Sequence, residues 1–370
     1  MTAGCTGLGF VVVVGMLLTS VFPRAAQAQE PGGDAKSAQL AVQDPDEYAW
    51  QLFLFINRQA ARGRAGVADP TKSSVKDYDD DQDVVWETWA LASREGKPEA
   101  EVFRANGATP VRWEDLPRQG PAAPKALDKP LTPSGHVATG AALAVPNEPE
   151  SDEVRMNRAT FDHILDKTLY SRAGLIDAFR AAGQDRDFIS FPPGAKEVKA
   201  AWREIREDEK RVYHWREINK KIYGLVAFHV ITKDAPMWFW ADFVHKDLAE
   251  YEVPGSFHDS ATGPDGIRAQ TLGSKWEHYR LKGTQLTFTN SRGEFTVLGN
   301  QIIENGMAAK STCIGCHAYA SVSANGQDYM QREFKLELPQ PQLFGVPGML
   351  RLQTDFMYSV AIRAQPRITP

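Results

Sequence analysis

Along this chain the apolar positions change period more than once. Residues 8–22, "LGFVVVVGMLLTSVF", are an apolar run without periodicity. In "DPDEYAWQLFLFINRQAAR" (44–62), Tyr48, Leu52, Phe55 and Ile56 recur at helical spacing, with Asp44 placed as a cap and Pro45 in the first turn. The same period returns in "EVRMNRATFDHILDKTLYSRAGLIDAFRAAG" (153–183), where Phe161, Ile164, Leu165 and Leu169 precede Leu175, Ile176 and Phe179. It predicts one or two helices closing at Gly183. Beyond that point the period shortens toward two. Segments 195–205, 221–233, 237–245 and 283–299 read as strands, the last as a hairpin turning at Ser291-Arg292-Gly293. In "MWFWADFVH" (237–245), Trp238, Trp240, Asp242 and Val244 share one face, and Phe239, Ala241, Phe243 and His245 the other. Helices first and strands afterwards predict an α+β fold, an N-terminal helical part followed by an antiparallel β-rich part.

The punctuation between these elements divides the chain. Residues 1–28 read as a signal peptide and 29–45, polar and rich in small residues, as a flexible leader. Residues 46–150 form an N-terminal helical and irregular module, because 105–150 is dense in proline, glycine and alanine. Residues 151–370 form the α+β module. "KDYDDDQDVVWETWA" (76–90) joins an acidic patch to Trp86 and Trp89. It reads as a solvated turn leading into a core strand or helix. A calcium site at Asp79, Asp80, Asp81 and Asp83 is the sharper alternative, but the ordered ligand-and-glycine pattern of a known loop is missing.

Composition narrows the function classes. The run at 8–22 is followed by "AAQAQE", with small residues at Ala26 and Ala28, so cleavage is expected after Ala28. The n-region, "MTAGCTG", lacks lysine and arginine, which leaves an uncleaved anchor as the alternative; that run is short for a span of about twenty residues. No later stretch is long and apolar enough to cross a bilayer. The product is expected in the periplasm, without a membrane span once the signal is removed. Losing Arg24 takes the formal charge from −5 to −6, so nothing favours nucleic acid. Nine tryptophans serve equally as core or as walls around a flat ligand.

Cleavage also removes Cys5, leaving two cysteines in "STCIGCHAYAS" (311–321). Cys313 and Cys316 are three positions apart, with His317 directly behind. A thioredoxin-like redox pair would stand near the start of a βαβ unit, and none follows here. A structural zinc site needs four ligands, so two histidines would have to come from a distance. In the third chemistry each thiol adds to a vinyl group of haem and the adjacent histidine binds iron from one face. Export favours that third reading, since bacterial haem attachment takes place outside the cytoplasmic membrane.

On "CIGCH" and the export signal, the chain resembles a bacterial c-type cytochrome. The resemblance implies one covalent haem c, with Cys313 and Cys316 as anchors and His317 as proximal ligand, and electron transfer with a periplasmic redox partner. Unlike the small all-helical members, this chain carries its motif late. "FPPGAKEVKAAW" (191–202), the strand-like segments and the late "CIGCHAYASVSANGQDYM" are also similar to β-rich periplasmic haem proteins related to hydroxylamine-oxidising, lysine-cross-linked cytochromes. Those share an early Phe-Pro-x-Gly segment and an Asp-Tyr pair like Asp328-Tyr329. They also imply a lysine bonded to the porphyrin; Lys233, Lys246, Lys275 and Lys282 precede the motif.

The sixth iron position separates electron transfer from chemistry on a small-molecule substrate. Met330, Met349 and Met357 lie downstream, and Met349 in "FGVPGML" is the best placed on loop chemistry. Among His229, His245, His258 and His278, His245 ends an aromatic strand. With an open iron site, Trp238, Trp240 and Phe243 would wall the pocket, and His245 or Asp242 would hold a proton beside the bound ligand.

Overall fold

The computed structural model describes residues 1, 30–80, 82–92, 100–117, 153–185, 189–218, 220–247, 257–261, 266–300, 303–304, 308–328, 338 and 351–364. The apolar run at 8–22, Asp81, Tyr329, Met330 and Met349 lie outside these residues, as does most of 105–150. Helices α1 (Ala35–Gln43) and α2 (Pro45–Ile56) open the fold. Residues 35–43, expected within a flexible leader, are helical because the Asp34 carboxylate accepts from Ser37 N and caps the first turn. In α2, Asp44 caps by accepting from Glu47 N and Pro45 occupies the first turn, as the sequence predicts. The helix ends at Ile56 rather than running to residue 62, and residues 59 and 60 enter isolated β-bridges.

Short β1 (Ala90–Leu91) and β2 (Glu153–Met156) come next, then α3 (Arg158–Asp166) and α4 (Arg172–Asp185). The segment at 153–183 thus begins as strand and continues as two helices. Strands β3 (Lys196–Glu204), β4 (Trp215–Ile218), β5 (Lys221–Thr232), β6 (Phe239–His245) and β7 (Tyr279–Gln285) complete an antiparallel sheet. The order is β1-β2-β3-β5-β6-β7, with β4 also on β5. The fold is α+β. In 283–299, the strand pairing sits earlier than expected, and only a Thr289–Phe295 bridge closes around Gly293. The single-turn helix α5 (Cys313–His317), β8 (Ser321–Val322), β9 (Leu352–Gln353) and α6 (Tyr358–Arg363) follow.

α2 covers one face of the sheet. Phe53 stacks on Phe243 at 4.4 Å and meets Phe228 and Trp276 edge-on. Each phenylalanine buried here contributes about 1.5–3 kcal/mol. Because β1 pairs with β2, and α2 packs against strands beyond residue 220, the described residues on either side of position 150 share one sheet and one core.

Candidate functional site

Strand alternation builds the floor of the site. Register places Glu197 opposite Ile231, and Ile231 opposite Trp240; one step along, Lys199 faces His229, and His229 faces Asp242. Residues two apart on a strand share a face, so these six side chains form two rows across β3, β5 and β6, on the face opposite α2. Five of them, all but Asp242, line a cavity together with Leu298, Glu304, Ser311, Tyr358, Cys313, Cys316 and His317. Its volume is about 140 Å³, and it is partly open to solvent.

The rows continue onto β7, which holds α5 in place. Gln285 lies opposite Trp240. Its amide donates to Thr312 Oγ1 at 2.6 Å, and its carbonyl oxygen accepts from Ile314 N at 3.2 Å. Within α5 the cysteines are three apart and so face the same way. Gly315 between them is required: a Cβ there would stand 2.3 Å from Thr312 Cγ2. Both cysteines are unbridged and half-buried. The Cys313 thiol donates to the Leu298 carbonyl at 3.3 Å, and Cys316 Sγ lies 3.8 Å from Ser311 Oγ. Burial pushes both thiols up, Cys316 to about 11.

His317 is fixed from three sides. Its Nδ1–H donates to the Phe356 carbonyl at 2.8 Å, and its ring meets Trp240 and Tyr358 edge-on at 4.5 and 5.1 Å. Nε2 has no hydrogen-bond partner among the described residues, so that nitrogen is the one left for a metal. Burial lowers the imidazole pKa to about 4, which keeps the ring neutral and able to ligate at pH 7. Two thiols on one helical face and a neutral imidazole with a fixed tautomer, all on one cavity, match the donor set of covalent haem. No group of three or more His, Cys, Asp or Glu among the described residues is arranged for a bare metal ion.

Around these three side chains stands an ionisable cluster. His229 Nε2 lies 3.2 Å from Asp242 Oδ1 as an ion pair without hydrogen-bond alignment, and Asn300 Nδ2 donates to the same oxygen at 2.8 Å. His229 Nδ1 lies 3.9 Å from Glu304. Burial disfavours the imidazolium of His229, but the Asp242 and Glu304 carboxylates outweigh it, and its pKa is raised. Glu197 is pushed up to about 7 by burial.

Asp242 and His245 are separated by the alternation that the sequence displays. Asp242 stands behind the cavity wall as partner of His229. His245 does not line the cavity; it is on the face shared with Phe243, stacked on Tyr213 at 3.7 Å and bonded through Nε2 to the Val212 carbonyl at 3.0 Å. Trp240 lines the cavity, whereas Phe243 belongs to the α2 core and Trp238 packs on Phe191. Met357 is fully buried at the start of α6. Three of the lysines weighed above are engaged elsewhere: Lys233 with Asp355, Lys275 with Asp80, and Lys282 with the Gly299 carbonyl. Lys246 is exposed.

The lysine that lines the cavity is Lys199, which sequence reasoning passed over, along with Glu197. Their signal was available: Glu197 and Lys199 stand two apart, on one face of the strand "AKEVKAAW". In the acidic patch, Asp79 pairs with Lys72, Asp80 with Lys275 and Asp83 with Arg216, so these carboxylates point to cationic side chains instead of converging. No described helix is long and apolar enough to cross a membrane. No protein-family model matches the chain, and no curated protein or solved structure matches it.

Proposed function

We propose that this chain is an exported, periplasmic monohaem c-type cytochrome that transfers electrons to or from a periplasmic redox partner. The observation that carries the reading is the convergence of Cys313, Cys316 and His317 on one cavity, with His317 Nδ1 committed to a backbone carbonyl. Cys313 and Cys316 would supply the thioether links and His317 the proximal nitrogen; the haem supplies a one-electron couple. The chain's own part is to orient the imidazole, keep it neutral and exclude water from its buried side. Met349 remains the proposed sixth ligand in this reading.

A second reading, a haem oxidoreductase or small-ligand-binding protein with an open iron site, is favoured by one observation. Glu197, His229 and Glu304 line the same cavity and can hold or move a proton beside a bound molecule. If the porphyrin carries a lysine link, as the resemblance to the lysine-cross-linked cytochromes implies, Lys199 is the residue placed for it.

The test is expression with a haem-maturation system followed by acid extraction. The wild type should retain its haem after denaturation. Cys313→Ala and Cys316→Ala should each leave at most one thioether, and His317→Ala should keep attached porphyrin with an altered iron spectrum. Complete extraction of haem from the wild type would overturn the proposal. Immediate carbon monoxide binding by the ferrous protein would replace the electron-transfer reading with the open-site one.

A further inference from the structure

The carbonyl that holds His317 belongs to an unusual turn. Thr354 O accepts from Met357 N at 2.9 Å, and the two central residues, Asp355 and Phe356, both have left-handed backbone, with φ of 50° and 65°. Turns of this kind favour asparagine and glycine. A bulky phenylalanine in the left-handed region is strained, by on the order of 1–3 kcal/mol, and persists only when its surroundings impose it.

The restraint comes through the Asp355 carboxylate. Oδ1 pairs with Lys233 Nζ at 2.6 Å, and Oδ2 accepts from Phe191 N at 2.8 Å. Both charged side chains are largely buried, at 14% and 9% exposure, where an ion pair is poorly screened. Lys233 follows β5 immediately, and Phe191 opens the Phe-Pro-Pro-Gly segment ahead of β3. Thr354 N also donates to the Ala320 carbonyl at 2.9 Å, tying the turn to the chain just after α5. Three segments distant in sequence thus converge on a turn whose Phe356 carbonyl meets His317 Nδ1.

We infer that Asp355 and Lys233 are a positioning pair that sets the orientation and basicity of His317 as an iron ligand. This rests on the haem reading above. An Nδ1–H held by a carbonyl makes Nε2 a stronger donor and stabilises ferric iron. Loosening the turn weakens that bond and shifts the couple toward ferrous. Neither Asp355 nor Lys233 lines the cavity, and losing the anion or the cation of the pair acts on the couple through space with opposite signs, so a shift in one direction in both variants reports the ligand.

The experiment is redox titration of the haem-loaded full chain with D355N, K233M and K233R. Asparagine tolerates left-handed backbone, so D355N removes charge without adding strain; K233M keeps an apolar stem against Trp238 and serves if D355N does not fold. Both should shift the ferrous-to-ferric ratio upward three- to tenfold at fixed potential, a rise of up to about 59 mV for one electron. K233R should restore most of the wild-type value. Loaded, folded D355N and K233M with unshifted potentials overturn this inference alone. A wild type without covalent haem overturns the proposed function and this inference together.

Discussion

Glu197 is turned from β3 into the cavity, and its Oε2 has no hydrogen-bond partner among the described residues. Burial raises its pKa from an ordinary 4.5 to about 7, against the opposing pull of Ser359 and Arg363. Between those two values the folded chain binds a proton that the unfolded chain has released. Stability from this group is therefore fully present below about pH 4.5 and is lost as pH rises through 7. The full loss is on the order of 3 kcal/mol. Glu197→Gln keeps the neutral shape at every pH, so it should flatten this dependence and be the more stable chain at pH 8. Urea unfolding at pH 5 and pH 8 measures the difference; equal slopes for the two chains would mean that the carboxyl does not hold the proton. The residue itself was hidden in the sequence because a glutamate in a short strand ordinarily faces water. Only the pairing of β3 with β5 puts it opposite Ile231 and under α6.

At the scale of elements, the position of α5 depends on β7. A single helical turn cannot stabilise itself, because nucleation is unfavourable and no intrahelical ladder follows. Gln285 compensates with two hydrogen bonds from the sheet. Gln285→Leu should leave the buried Ile314 N–H unpaired and cost about 1–3 kcal/mol. Faster amide exchange at Ile314, with β3 and β5 still protected, would locate the loss in α5. Uniformly unchanged exchange would show that the segment is held by something else. Much of this level was legible beforehand. The helix at Pro45–Ile56 carried its own cap and period, and the strands at 196–204, 221–232 and 239–245 followed their alternation. What failed depended on long-range pairing. "LTFTN" has strand character, yet β7 begins at Tyr279 because β6 offers its edge there. The motif Cys-Ile-Gly-Cys-His was plain in the sequence, while the choice between His229 and His245 was not. Each sits in an apolar strand, and only the location of α2 decides which face is left for the site.

On the scale of the whole molecule, the segment just ahead of α1 is tied to β3 and to the residues that follow β5. Glu30 pairs with the buried Lys196 at 3.1 Å and accepts from Asn157 Nδ2, and Gly33 N donates to Asp234. Gly194 makes the close approach, with φ of 79° and room for no Cβ beside Gly33. Removing residues 29–33 should leave Lys196 with the Gly194 carbonyl as its remaining polar contact and destabilise the fold by about 1–3 kcal/mol, less than for a fully buried pair because Glu30 is partly exposed. The midpoint of urea unfolding, compared with Glu30→Gln, would report it; an unaltered midpoint would show that this segment is not part of the fold's support. The two rows of the sheet floor have a further consequence, for how such a protein can change over generations. Insertion or deletion of one residue within β5 would turn His229 and Ile231 toward α2 and bring Phe228 and Val230 to the cavity, spoiling site and core together. Shifts of the frame are thus closed to selection. On the sheet floor, variation in chemistry then comes by replacement at positions 197, 199, 229, 231, 240 and 242, so a related chain whose floor differs should differ there while preserving strand lengths.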